Sequence, residues 1–221
     1  AGNTDILILM VPSSREVEEL VYGDDGLLKA ACKGLTVIDM GTSQPTSTRQ
    51  IAAAFAEKGV DFLDSPVTRG VRGAIAGNLA LMVGGEKSVL ERCRPVLRAM
   101  ASDIFHVGPV GMGHVFKLIN QLIVLVTLGA VAEGFALAEA EGADLELLFE
   151  VLGSGAARSY VLETQVPDML KNDFTPRFAT KLALKDLRLA LDMATAADRP
   201  LPVSALVAQM FHTGMQWGLG D

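Results

Sequence analysis

Hydrophobic spacing changes character once along this chain. Up to about residue 110, short apolar runs alternate with amphipathic stretches, and beyond it every segment repeats at helical spacing. After Asp5 the sequence is continuously apolar to Val11 and is closed by Pro12, the pattern of a strand covered on both faces in a parallel sheet. Ser13 or Ser14 can cap a helix that runs through Val21. Leu35 to Thr42 repeats the arrangement, with Pro45 and the alanine-rich stretch Ser47 to Lys58 as the next helix, and Val60 to Val67 reads as a third strand. Asn78 to Gly85 is a strand with its turn, Glu86 to Met100 a helix, and Asp103 to Val107 a short strand. This alternation predicts βαβ units, whose ligands lie outside the carboxyl ends of the strands.

The second regime opens with Gly111-Met112-Gly113-His114-Val115-Phe116-Lys117-Leu118-Ile119-Asn120-Gln121, and helical spacing continues to about Gly142. A helix over about 114–141 puts Lys117, Asn120 and Gln121 at i, i+3 and i+4, on one face near its first turns. Leu118, Leu122, Leu125, Val126 and Val131 supply apolar surface on its other faces, which makes it a central helix. Leu145 to Leu152, Ser159 to Leu170, Phe178 to Ala197 and Pro202 to Trp217 follow as helices. The prediction is an α/β portion over 1–110 and an all-helical portion over 111–221, joined by the long helix.

A lysine one turn into a helix is more often solvated than functional, so Lys117 gains weight only from a second stretch. Val11-Pro12, Thr42-Ser43 and Thr68-Arg69-Gly70 all fall at predicted carboxyl ends of strands, where they would face one crevice. Glycines at 70, 73 and 77 let the backbone approach a ligand and leave amides for a carboxylate.

Composition narrows the partners. Half of the 221 residues are hydrophobic, the net charge is −7 and aromatic residues make up 5%, a balance unlike that of a nucleic-acid surface. Small molecules are the expected partners. Cys32 and Cys93 lie far apart, without metal-ligand spacing, and are expected as reduced, buried thiols of a cytoplasmic protein; His106, His114 and His212 are equally scattered, so no metal site is expected. The longest apolar run, Leu122 to Ala132 with Thr127 and Gly129 allowed, is short of the ~20 residues of a membrane helix, and no membrane partner is expected. The opening Ala1-Gly2-Asn3-Thr4-Asp5 has neither an initiator methionine nor a basic leader, and the chain is expected to begin in mid-domain. No dinucleotide loop is found: Gly153-Ser-Gly155-Ala-Ala-Arg158 ends in arginine between helices, and Gly108-Pro-Val-Gly111-Met-Gly113 has the wrong spacing.

Three stretches, Asp64-Ser-Pro-Val-Thr-Arg-Gly-Val-Arg-Gly-Ala-Ile-Ala-Gly-Asn-Leu-Ala-Leu-Met-Val-Gly-Gly85, Gly111 to Gln121 and Lys185-Asp-Leu-Arg-Leu-Ala-Leu191, together resemble the β-hydroxyacid dehydrogenase family, which includes 3-hydroxyisobutyrate dehydrogenase and tartronate semialdehyde reductase. The resemblance covers nearly the whole chain. It implies a Rossmann-type NAD or NADP domain, of which 1–110 would be the later portion, joined to a helical domain that builds a homodimer or homotetramer. It further implies that the first strands and the G-x-G-x-x-G turn precede this chain and that relatives continue beyond Asp221.

Carried across by motif, Lys117 matches the family's catalytic lysine, and Thr68 stands where a serine is usual. Asn120 and Gln121 match substrate-contacting amides, the Asn-Gln pair being closer to the tartronate semialdehyde branch. Val11, Pro12 and Thr42 match positions that line the dinucleotide, and Lys185 matches a lysine that reaches it. Arg69 departs from the usual glycine, and its planar fork suits a second anionic group, as in relatives that reduce sulfolactaldehyde. The implied reaction is hydride transfer between NAD or NADP and a small hydroxyacid or semialdehyde, with Lys117 as general acid and base. Partial burial and the positive end of the helix would both favour its neutral form. Of the rivals, a non-catalytic binding module on this fold replaces the lysine, and imine reductases typically carry another residue there.

Overall fold

Val37 and Ile38 are neighbours in one strand and both are fully buried, which requires cover on both faces of the sheet. That strand, β2 (Thr36–Asp39), lies between β1 (Ile6–Leu9) and β3 (Asp61–Asp64) and runs parallel to both, with Leu7, Val37 and Phe62 in register. Val37 and Phe62 face Val17 and Val21 of α1 (Ser14–Tyr22) and Ile51 and Phe55 of α3 (Pro45–Ala56), while Ile38 and Leu63 face Val89, Leu90, Cys93 and Leu97 of α5 (Lys87–Leu97). The continuous apolar runs of the sequence have this origin, since each successive side chain enters one core or the other. A short helix, α2 (Leu27–Ala30), precedes β2.

The computed structural model describes residues 4–221. The opening Ala1-Gly2-Asn3, and with it the expected start in mid-domain, lies outside the described residues.

Two features depart from simple βαβ repetition. The third strand stops at Asp64 and resumes as β4 (Val67–Thr68), because Pro66 between them has no N–H for a ladder. Both pieces pair antiparallel with β5 (Leu79–Gly84), through Asp64 with Gly84 and Val67 with Leu81, and β6 (Ala101–Gly108) runs parallel to β5. The sheet is therefore mixed, in the order β1-β2-β3-β5-β4 with β6 also on β5. In addition, residues expected as an open glycine loop form the short helix α4 (Gly70–Ile75).

All the helices expected beyond residue 110 are present: α6 (Met112–Ala140), α7 (Leu145–Ser154), α8 (Tyr160–Leu170), α9 (Thr180–Ala196) and α10 (Pro202–Gln216). Asp144 caps α7 by accepting from the amides of Glu146 and Leu147, and Ser159 caps α8 through Leu162, as short polar side chains do at helix starts. Ala183, Leu184 and Leu187 of α9 pack with Val207 and Ala208 of α10 and with Leu125, and Phe135, Leu162 and Val166 form a second core. The two compact units part after Ile119, inside α6.

Counting uninterrupted apolar residues underestimates α6. The helix has 29 residues and an 18-residue window of mean hydropathy 2.0, of which 28% is buried. By length and composition alone it is long and apolar enough to cross a membrane, a test that core helices of soluble proteins also pass.

The two cysteines also differ from expectation. Cys93 is buried, and burial pushes its thiol pKa up, whereas Cys32 is exposed. Thiol titration of the native protein should therefore label Cys32 promptly and Cys93 only after unfolding, because the reactive form is the thiolate. Prompt reaction of both would contradict this packing.

Candidate active site

Three of the four predicted cofactor residues, Val11, Pro12 and Thr42, lie at the carboxyl ends of parallel strands in the sheet-bearing unit, and the fourth, Lys185, lies on α9 of the helical unit. Val11 and Pro12 follow β1 and Thr42 follows β2, and a Cβ placed on Gly41 would come within 2.6 Å of the Val11 carbonyl oxygen. Gly41 is thus what lets these two strand ends approach each other. The turn after β2 is held by the buried carboxylate of Asp39, which accepts from the Gly41 amide at 2.9 Å and from the Ser43 hydroxyl at 3.0 Å. Adjoining turns with small residues, at the ends of parallel strands, fit a dinucleotide.

Lys117 is 9% exposed, unusual for a lysine. It stands in the second turn of α6, whose start is fixed by Asp64 at the end of β3. One carboxylate oxygen of Asp64 accepts from the Gly111 amide at 2.7 Å and the other from the His114 amide at 2.9 Å, so a side chain remote in sequence occupies the place of an N-cap. The contact explains two glycines. A Cβ on Gly113 would lie 2.4 Å from the Met82 carbonyl oxygen and 2.8 Å from Asp64 Oδ2, and one on Gly84 would lie 2.5 Å from Asp64 Oδ1. Gly113 therefore serves close packing. The anion of Asp64 also offsets the partial positive charge of the helix start, which weakens one of the two influences expected to favour a neutral Lys117.

Thr68 is half-buried in β4, and Gly70, exposed, has φ 57°. The Gly73 and Gly77 amides donate to the Arg69 and Ala74 carbonyls, so they are spent within α4 instead of being offered to a carboxylate. Arg69 itself has φ 84°, and its guanidinium donates to the Asn78 carbonyl at 2.6 Å and the Ser102 hydroxyl at 2.8 Å and pairs with Asp103 at 2.7 Å. Bonds from Ser102 and Arg69 hold the Asp103 carboxyl below the usual carboxylate range. The planar fork expected to meet a second substrate anion is engaged by its own protein.

In the helical unit, Asn120 donates to Gln121 Oε1 at 3.1 Å and Gln121 donates to Asp186 Oδ2 at 2.8 Å, while Lys185 lies 3.0 Å from the other Asp186 oxygen. Three of the predicted residues are thus linked to one buried carboxylate that sequence reasoning passed over. Asp39, Asp64 and His114 were missed in the same way. For the aspartates a signal was available, a charged residue ending an apolar run at a strand's carboxyl end. Among the described residues, no group of histidine, cysteine and acidic side chains has the arrangement of a metal site.

Two family models divide the chain between them. Residues 1–108 match the NAD binding domain of 6-phosphogluconate dehydrogenase, and residues 111–221 match the NAD-binding domain of NADP-dependent 3-hydroxyisobutyrate dehydrogenase. A 2-(hydroxymethyl)glutarate dehydrogenase of Eubacterium barkeri is 37% identical over the whole chain and 73% of its own length. This chain belongs to the β-hydroxyacid dehydrogenase family. A 2-hydroxy-3-oxopropionate reductase of Escherichia coli K12 is 39% identical over 95% of the chain and 72% of its own length. The crystal structure of a Salmonella typhimurium 3-hydroxyisobutyrate dehydrogenase superposes with a TM-score of 0.90 at 31% identity, over 100% of this chain and 77% of that one. Imine reductases, at 18% identity and a TM-score of 0.64, share the fold alone. The family member described here is thus an NAD(P)-dependent hydroxyacid dehydrogenase.

Asp64→Ala should lower the unfolding free energy by about 2–6 kcal/mol, since two buried backbone amides lose their acceptor at about 1–3 kcal/mol each. Asp64→Asn, which keeps an accepting oxygen, should cost less. Urea denaturation of both variants checks this, and equal stability of Asp64→Ala and the parent protein would remove the capping role.

Proposed function

We propose that this enzyme transfers hydride between NAD(P) and a small β-hydroxyacid or the corresponding semialdehyde, with Lys117 as the general acid and base. The observation that carries the proposal is the burial of Lys117 one turn inside a helix whose first turn is tied to the sheet. A bound nicotinamide supplies or accepts the hydride. In the reducing direction the Lys117 ammonium donates a proton to the carbonyl oxygen as charge develops there, and in the oxidising direction the neutral amine takes the hydroxyl proton. Burial favours the neutral amine in the second role by making the ammonium costly to desolvate.

The family resemblance gives Thr68, Gly70 and Asn120 the substrate carboxylate, and Gln121 the ammonium or the hydroxyl. Val11, Pro12 and Thr42 line the dinucleotide, and the family resemblance assigns Lys185 of the helical unit to it as well. The substrate class is supported by relatives named for 2-hydroxy-3-oxopropionate and 3-hydroxyisobutyrate. A homodimer or homotetramer through the helical unit is supported by apolar side chains that α6 leaves exposed, among them Ile123 at 58% and Leu137 at 65%. A cytoplasmic setting fits the two free thiols.

Lys117→Ala should reduce kcat by about 100-fold to 10,000-fold, the range of general acid–base catalysis. NADH and NADPH titrations followed by fluorescence should give the parent's affinities, and turnover at the parent rate would exclude the lysine from the mechanism. The bonds that engage Arg69 speak against the sulfolactaldehyde-like reading. Arg69→Gly should accordingly leave the ratio of kcat/KM between singly and doubly anionic semialdehydes within about threefold of the parent value, less than one charged hydrogen bond would contribute. A selective loss of the doubly anionic substrate would restore that reading.

A further inference from the structure

Outside the residues given roles above, the sheet-bearing unit buries one imidazole. His114 is fully buried in the first turn of α6, with Nδ1 2.8 Å from the Thr48 hydroxyl oxygen of α3. The same hydroxyl donates to the Gln44 carbonyl at 3.1 Å. Thr48 has a single proton to give, and when the Gln44 carbonyl takes it the hydroxyl oxygen accepts from Nδ1. On its other side, His114 Nε2 lies 3.7 Å from Asp39 Oδ2, and Nδ1 lies 3.9 Å from Asp64 Oδ2. Those distances are too long for hydrogen bonds. The hydrogen bond to Thr48 ties the ring to α3.

Two independent restraints thus meet in one helical turn. Asp64 fixes α6 along its axis through the Gly111 and His114 amides, and the His114 ring, lodged against α3, opposes rotation about that axis. Lys117 follows His114 by three residues, which places the two side chains on neighbouring strips of the helix surface. Any roll of the first turn carries the lysine with it.

We propose that His114, through its hydrogen bond to Thr48, is a positioning residue for Lys117. The proposal rests on the catalytic reading of Lys117. It does not make His114 a proton carrier, since the ring is fully buried and its donor is spent on Thr48. A misplacement of about 1 Å in a catalytic group can cost about 100-fold in rate, which sets the scale of the expected effect.

The test uses Thr48→Val, which removes the acceptor at nearly constant volume, and Thr48→Ser, which keeps it. Thr48→Val should lower kcat by about 10-fold to 100-fold with the KM for NAD(P) unchanged, and Thr48→Ser should recover most of the rate. In a Lys117→Ala background, Thr48→Val should bring no further loss, because the lysine it positions is gone. An equal loss in that background, or no loss in the parent, overturns the proposal. If Lys117→Ala alone leaves turnover intact, the catalytic reading fails, and the proposal with it. If Lys117→Ala is crippled and Thr48→Val is silent, the positioning role alone fails. Should Thr48→Val not fold, His114→Asn, which offers a donor near the place of Nδ1, should retain more of kcat than His114→Gln, and equal rates for the two would overturn the proposal.

Discussion

The carboxylate of Asp64, fully buried at the end of β3, is the contact on which the start of α6 depends. It receives two amides of a helix that begins 48 residues later, and it occupies space that only glycine at 84 and 113 can leave open. Charge-assisted bonds from backbone amides are stronger than neutral ones, and they compensate the cost of placing an anion where water cannot reach it. The arrangement also couples sheet to helix. A strand end cannot shift without moving the start of α6, and with it the second turn that bears Lys117.

The same carboxylate changes the electrostatics of the lysine. An uncapped helix start would repel an ammonium, whereas a start already occupied by an anion does not. For the proton acceptor proposed at Lys117, burial is a feature that disfavours the charged form, the side chain being only 9% exposed. A second carboxylate plays a comparable part in the helical unit, where Asp186 accepts from Gln121 and pairs with Lys185. In both units, a buried acid orders residues that the family resemblance assigns to substrate or cofactor.

Arg69 illustrates how a side chain can be diverted from the role its chemistry suggests. A left-handed backbone costs a non-glycine residue about 1 kcal/mol or more, and the guanidinium offsets that cost by bonding to Asn78, Ser102 and Asp103. The bonds tie the start of α4 to the entrances of β5 and β6, which shapes the turn carrying Thr68 and Gly70. A residue that departs from the family pattern thus serves the geometry of the turn.

Much of this was written in local pattern. The runs at Asp5–Val11, Leu35–Met40 and Asn78–Gly84 and the helical spacing beyond Gly111 determined which segments are strands and which helices, because side-chain periodicity follows directly from backbone geometry. The motif around Lys117 likewise marked the helix that bears it. Tertiary structure alone decided the antiparallel pairing of β5 with the two pieces that flank Pro66, the folding of residues 70–75 into α4, the engagement of Arg69, and the meeting of Asp39, Asp64, Thr48 and His114. Each of those depends on groups brought together from distant parts of the chain. Hydrogen bonds and ion pairs of that kind leave no periodic trace in sequence, since their strength depends on distances that exist only after folding.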